Sequence, residues 1–282
     1  METILLYDET FEGLLTAVFE AYARKLPDAL ILPRHGSQAM LGAEEVPVVT
    51  NAAKADRVLR GLVREAGSAA HEFIYTAFLT PHEDRATLIY RFMRLCFTMG
   101  AQAIEHFANP TVMTLTKYNR QVGWEIQHLL GFVRLRCLGG DLYYGAITPD
   151  NDVLTILAPH FADRFGDQRI ALHDVRRGKL ALCAYGAWEL REAPDITPPE
   201  ETQDEAELVA LWRKYFFSID NPQRRNLVLQ RQHMPRRYWK YMTEVSGASP
   251  APESSLRSDD SAVLRPLPGH QAPKNTDITP LI

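Results

Sequence analysis

The sequence predicts an α+β protein: a small, mostly antiparallel sheet surrounded by helices, with a basic helical element near its C-terminal end. Three observations predict it. Apolar residues recur at spacings of three and four through most of the chain up to about Cys137, the periodicity of amphipathic helices. Between Asp141 and Tyr185 that period gives way to short strand-like runs about a turn, Arg176-Arg177-Gly178. From Trp212 to Tyr241, eight lysines and arginines stand against one acid, Asp220, a local charge of +7 in a chain whose net charge is −4.

The elements follow in order. Thr3–Tyr7 (TILLY) reads as a strand, and Asp8 or Thr10 can cap a helix that runs to about Lys25 before Pro27. Residues 28–51 have no helical period and read as loop, with a strand at Val46–Thr50. Asn51 caps a helix to Ala66, and Ser68 caps another over Ala69–Leu79. Thr80-Pro81-His82-Glu83 combines a capping box with proline at the first helical position, which starts a helix to Met99. A short helical turn covers Ala101–Phe107. Asn109-Pro110 opens the longest periodic segment, to about Cys137, which at 1.5 Å per residue spans roughly 40 Å and supports the domain. Asp141–Thr148 is a strand, Asp152–Phe165 a helix, and Arg169–Val175 with Lys179–Tyr185 a hairpin. Thr202 and Glu205 form a capping box for a helix whose Leu208, Leu211, Trp212, Tyr215 and Phe216 share one face and read as core. The organisation is an α+β core over 1–192, a proline-rich acidic linker over 193–203, a helical basic segment over 204–245 packed on the core, and a tail over 246–282 whose Ser, Pro, Ala and Asp content predicts disorder.

Composition excludes some classes. With 282 residues and 46% hydrophobic content the chain can bury a sizeable core, and no apolar run approaches the roughly 18 residues that span a bilayer. Acids stand where a signal peptide would carry Lys or Arg, which predicts a cytoplasmic protein with no membrane partner. Cys96, Cys137 and Cys183 lie far apart in apolar contexts and read as buried thiols, without the CxxC spacing of a zinc or iron–sulfur site. No phosphate loop, dinucleotide fingerprint or GxSxG elbow is present, and His35-Gly36-Ser37 alone is too little for nucleophilic catalysis. No metal or cofactor is expected. Glu125-x-x-His128 puts a carboxylate and an imidazole on one helix face, as in di-iron bundles, but the second motif those sites need is missing.

The basic segment is the strongest functional signal. Cations neutralise phosphates, and aromatic or arginine planes stack on bases. The expected nucleic-acid contacts are Arg224, Arg225, Asn226, Arg231, Arg236, Arg237, Tyr238 and Trp239, with the arginines on phosphates and Tyr238 and Trp239 stacking on a base or wedging a strand. Trp212–Phe217 is discounted as core. An acidic protein partner could use the same cations.

Three stretches in order resemble the bacterial family known as the domain of unknown function (DUF) 4130 family, whose members are described as DNA metabolism or DNA repair proteins. They are Tyr7–Tyr22 (YDETFEGLLTAVFEAY), Gly131–Phe165 with the hairpin ALHDVRRGKLALCAYG, and Asn221–Glu244 (NPQRRNLVLQRQHMPRRYWKYMTE). The resemblance covers residues 1–245. It implies a radical SAM protein encoded nearby as partner; some members are fused to a uracil-DNA glycosylase-like domain. It brings no established catalytic residues, and the chain lacks cluster-binding cysteines, so radical chemistry would belong to the partner. The expected function is therefore a DNA metabolism or repair accessory protein that binds DNA. One alternative is a DNA-processing enzyme with a pocket built on Glu125, His128 or Asp141. The other is an interaction scaffold for the radical SAM partner.

Overall fold

Thr3–Tyr7 forms β1 at the centre of a three-stranded sheet, because Leu30–Pro33 (β2) and Glu44–Pro47 (β3) both pair with it in parallel. The computed structural model describes residues 3–34, 43–194, 196, 202–224 and 226–245, all within one unit, Met1–Ser246. The tail from residue 246, most of the expected linker, and His35-Gly36-Ser37 lie outside the described residues.

Asp8 turns the chain from β1 into α1 (Phe11–Ala23). Its Oδ1 accepts the Thr10 amide and hydroxyl at 3.1 and 2.7 Å, its Oδ2 accepts the Thr50 hydroxyl at 2.6 Å, and Thr10 caps the Gly13 amide at 2.9 Å. A Cβ on Gly13 would meet Asp8 Oδ1 at 2.0 Å, so any side chain there would have to displace the Asp8 carboxylate from its bonds to Thr10. Asn51 caps α2 (Ala52–Ala66) through the Lys54 amide, and Gly67, at φ 81°, separates it from α3 (Ser68–Phe78). The expected capping box at Thr80 does not form. Thr80 instead donates its hydroxyl back to Ala77 O, and α4 (Arg85–Met99) starts five residues later, after Asp84, whose carboxylate is taken by the Tyr118 hydroxyl at 2.9 Å. A 3-10 turn over Gly100–Glu105 leads to α5 (Pro110–Phe132), capped by Asn109.

Helix α5 is shorter than its periodicity predicts, because Arg136–Cys137 leaves the helix as a two-residue strand, β4. It still joins the two main cores. Its Val112, Leu115 and Tyr118 belong to the cluster made with α1–α4 and β1, while Val122 and Leu129 belong to a second cluster. That second core lies under a five-stranded sheet of order β4-β5-β6-β7-β8, formed with Leu142–Ile147 (β5), Arg169–Asp174 (β6), Lys179–Ala184 (β7) and Ala187–Glu192 (β8). Helix α6 (Leu154–Arg164) supplies Leu154, Leu157, Ala158 and Phe161 to it.

The protein is α+β, but the expected single small, mostly antiparallel sheet is corrected. One sheet is wholly parallel, and the other is mixed, because β5 and β6 run parallel across the α6 crossover. The strands β2 and β8 have no counterpart in the sequence reading. The first is a four-residue apolar run without alternation; the second alternates at Trp188, Glu189, Leu190 and Arg191 but is exposed throughout, so its pattern marks no buried face. The predicted hairpin of β6 and β7 is present in the expected register region, with Asp174 opposite Lys179.

The outer edge of β2 is closed by a side chain. Thr87 Oγ1 accepts the Ile31 amide and donates to the Ile31 carbonyl, both at 3.0 Å, in a fully buried setting. Two backbone groups without a strand partner are thus satisfied by one hydroxyl. A Thr87→Val variant keeps the shape and removes both bonds. It is expected to lose roughly 2–5 kcal/mol of stability in urea denaturation, where a loss below about 1 kcal/mol would show that water replaces the hydroxyl.

Candidate functional site: the C-terminal basic segment

The basic residues do not lie on one helix. They are spread over α7 (Gln203–Ile219), a 3-10 turn at Pro222–Arg224, α8 (Leu227–His233) and a 3-10 turn at Arg236–Tyr241. The single basic helical element expected from the sequence is corrected accordingly: Asn221-Pro222 and Met234-Pro235 break the chain where helix would otherwise continue.

The last of these pieces is latched into the second core. Glu125, 1% exposed on α5, accepts the Asp150 amide at 2.9 Å, the Asn151 amide at 2.8 Å and the Asn151 side-chain amide at 2.6 Å. Arg237 reaches the same carboxylate, with Nη2 3.3 Å from Oε1, and the Tyr238 hydroxyl lies 3.5 Å from it. Arg237 also donates to the Asp150 carboxylate, and at 2.7 Å to the Tyr238 hydroxyl. Burial opposes the Arg237 charge, yet Tyr238, Glu125 and Asp150 together hold its pKa above the ordinary arginine value. Burial and then Glu125 push the Tyr238 phenol up to about 12, so it remains a donor.

The turn that carries Asp150 is held from its other side by the β6–β7 hairpin. Arg176 donates to the Asp150 carboxylate at 2.9 Å, Arg177 to the Pro149 and Asp150 carbonyls at 3.1 and 2.5 Å, and Lys179 to Asp152 at 2.7 Å. Arg177 is itself fixed by the buried Asp174 at 2.9 Å. A second latch closes the segment's end, where Glu244 receives Arg134 at 3.2 and 2.5 Å across 110 positions of sequence. Burial works against the Glu244 carboxylate, but Arg134 and Thr243 hold its pKa below the usual range.

The residues expected to contact nucleic acid differ in how far they are open. Tyr238 is 6% exposed in the core, so it cannot stack on a base. Arg237 is committed to Glu125 and Asp150. The Trp239 indole donates to Met234 O at 2.9 Å and its ring packs against the second core, beneath the Arg236 guanidinium at 5.8 Å. Arg231 is half-buried, with Nε enclosed. Arg224, Asn226 and Arg236 are exposed, and Arg225 lies outside the described residues.

The reverse correction applies to Trp212–Phe217. Helix α7 touches the body along half-buried Glu205, Val209, Arg213 and Phe216, at spacings of four, four and three. Glu205 accepts the Cys137 amide at 3.1 Å and Arg213 donates to Thr243 O at 2.7 Å. The Thr202 hydroxyl caps the Glu205 amide as expected, at 3.2 Å, but the Glu205 carboxylate is used by Cys137 rather than by the cap. Of the apolar face expected as core, Phe216 meets the body, but Leu208, Leu211, Trp212 and Tyr215 are 43–63% exposed; Phe217 and Ile219 are exposed too, as are Leu227, Val228 and Leu229 in the first turn of α8.

A catalytic reading fares less well. Glu125 and His128 do gather near the basic segment, but every Glu125 contact is structural. The His128 ring stacks on Phe132 at 5.6 Å, its Nδ1 is buried with no partner, and burial and then Arg237 lower its pKa. Asp141 stands apart at the turn into β5, at φ 62°, and takes no part in the described contacts of Glu125 or His128. Among the described residues no three His, Cys, Asp or Glu side chains cluster as metal ligands would, and no helix is long and apolar enough to cross a membrane. Cys96 and Cys183 are buried; burial pushes the first up to about 12 and raises the second, whereas Cys137 is half-buried in β4.

A family model for the domain of unknown function DUF4130 matches residues 83–244. The chain belongs to the DUF4130 family. No curated protein matches it. The DUF4130 region begins just before α4 and ends at Glu244, so it takes in the Glu125 latch, the Arg134–Glu244 pair and the open face of α7 and α8. The opening block Tyr7–Tyr22, included in the sequence resemblance, precedes the matched DUF4130 region.

The division between internal and open cations has a direct test. Tyr238→Ala is expected to cost about 3–5 kcal/mol, and Arg237→Ala about 2–3 kcal/mol through lost bonds to charged groups. Arg236→Ala should cost no more than about 1 kcal/mol. Urea denaturation of the three variants measures this, and equal effects at Arg236 and Arg237 would contradict the assignment.

Proposed function

We propose that this protein is an accessory component that works by docking a protein partner on the open face of α7 and α8. The observation that carries this reading is the unpartnered apolar surface of Leu208, Leu211, Trp212, Tyr215 and Ile219 on one face of α7, continued by exposed Leu227–Leu229. Isolated exposed apolar residues are ordinary, but a run along one helix and into the next is characteristic of an interaction surface. Its aliphatic content favours protein over nucleic acid, whose interfaces are more polar. Exposed Lys214, Arg224, Arg236 and Lys240 belong to the same segment, so the partner surface is expected to be an apolar stripe flanked by carboxylates. The family resemblance supplies the partner: a radical SAM protein of DNA metabolism or repair, which would perform the chemistry.

A second reading keeps DNA as the ligand. The observation that favours it is the exposure of Trp212, Tyr215 and Phe217 in the same segment as Lys214, Arg224, Asn226, Arg236 and Lys240. Bases would then stack on rings that the sequence assigns to core, while Arg224 and Arg236 hold phosphates.

One pair of titrations separates the two. The full chain is titrated with the neighbouring radical SAM protein, and in parallel with a fluorescent single-stranded oligonucleotide at stepped salt. Docking predicts a stable complex with the protein, weakened at least about tenfold by Leu211→Ser with Tyr215→Ser. DNA contact through four cations predicts a log–log salt slope of about −3, reduced by Arg224→Ala with Arg236→Ala. Absence of any complex with the protein overturns the first reading, and absence of DNA binding at low salt overturns the second.

A further inference from the structure

Away from the C-terminal segment, α1, α2 and α4 enclose an open groove of about 570 Å³. Its floor is aromatic. Tyr22 meets Phe97 edge to face at 5.6 Å, and Phe19 lies alongside beneath the Arg57 guanidinium at 5.8 Å. Its wall is cationic. Arg57, Arg60 and Arg64 follow one another on α2 at spacings of three and four, which puts them on one face, and every charged residue lining the groove is an arginine.

Two details make this a receptive site. Gly61 sits in the middle of α2, where glycine costs up to about 1 kcal/mol relative to alanine. A Cβ there would stand 3.6 Å from Phe97 Cε1, an ordinary contact, so packing does not demand glycine. Its missing side chain leaves the Phe97 ring uncovered. The arginines are also loosely held: Arg60 pairs with Asp56 and Arg64 with Glu65, each at 2.8 Å, with arginine side chains 74% and 77% exposed. Exposed pairs of this kind contribute little and yield readily to a stronger anion.

An aromatic floor beside an arginine wall matches a flat ring that carries a phosphate. Arginine binds phosphate in a bidentate fashion, and the volume lies in the range of small-molecule sites. We propose that this groove binds a nucleotide, its base against Tyr22 and Phe97 and its phosphate on Arg57, Arg60 and Arg64. The site is independent of α7 and α8, and its arginines precede the family-matched region. The nucleotide could be free or the phosphorylated end of a strand, since both present the same group.

Calorimetry on the full chain tests this with AMP, adenosine, inorganic phosphate, and a short oligonucleotide with and without a 5′-phosphate. AMP is expected to bind at least about tenfold tighter than adenosine or phosphate alone, because both halves of the site contribute. Arg57→Ala with Arg60→Ala should weaken AMP at least about tenfold. Gly61→Leu should block it while leaving the melting temperature unchanged or raised. Tighter binding of the 5′-phosphorylated oligonucleotide, competed by AMP, identifies a strand end; equal or weaker binding identifies the free nucleotide. The proposal is overturned if neither AMP nor the phosphorylated strand binds, or if affinity survives both variants. Arg224→Ala with Arg236→Ala leaves this binding unchanged, which separates its failure from failure of either reading of the C-terminal segment.

Discussion

A carboxylate taken out of water must be met by donors or neutralised, because an unpaired buried charge costs several kcal/mol. Glu125 is the residue on which this constraint falls. It lies on the helix that joins the two main cores, and its partners come from the turn before α6 and from the C-terminal 3-10 turn. Once α5 is placed, the carboxylate dictates where the other two must sit. The hairpin cations Arg176, Arg177 and Lys179 then brace the same turn from outside. A strong positive run in the sequence is thereby partly an internal counter-charge.

That accounting changes what the surface offers. Tyr238, Met242 and Glu244 are drawn inward, and Arg237, with its side chain still 43% exposed, leans onto Glu125, which fixes the end of the segment against the body. Helix α7 meets the body along a narrow line ending at Phe216, with the Glu205 bond to the Cys137 amide and the Arg213 bond to Thr243 on it. With Glu205 and Arg213 taking up half of the line that meets the body, Val209 and Phe216 are covered there and the apolar residues of the neighbouring face are not. The open face of α7 and α8 is thus a consequence of how the C-terminal end is anchored, and it belongs to the same family-matched region as the latch.

Much of the fold was legible because local signals decide it. β1, α1, α2 and the β6–β7 hairpin lie close to where periodicity and caps put them, and Asn51 and Thr202 cap as read. The capping box at Thr80 misled because it is a local motif in a turn whose geometry is set from afar, by Tyr118 on Asp84. Strand direction was missed where it was partly legible: strand, helix and strand in succession over 141–175 is the order of a parallel pair, and β5 and β6 pair that way across α6. The charge of Arg224–Tyr241 was visible, but the partner Glu125 lies more than a hundred residues away, and nothing local marks Arg237 rather than Arg236 as the one that pairs with it. The amphipathic pattern of α7 was also visible. Periodicity gives a helix an apolar face without saying whether this chain or another one covers it.

The claim that Glu125 anchors the basic segment is tested most directly by a double-mutant cycle on Glu125→Gln and Arg237→Ala, with stability read by urea denaturation. Residues in one charged network couple, so the account predicts an interaction energy of about 1–3 kcal/mol, with the double variant less destabilised than the two single losses combined. Additive effects, within about 0.5 kcal/mol, would contradict it and return Arg237 to the set of cations free to meet a ligand.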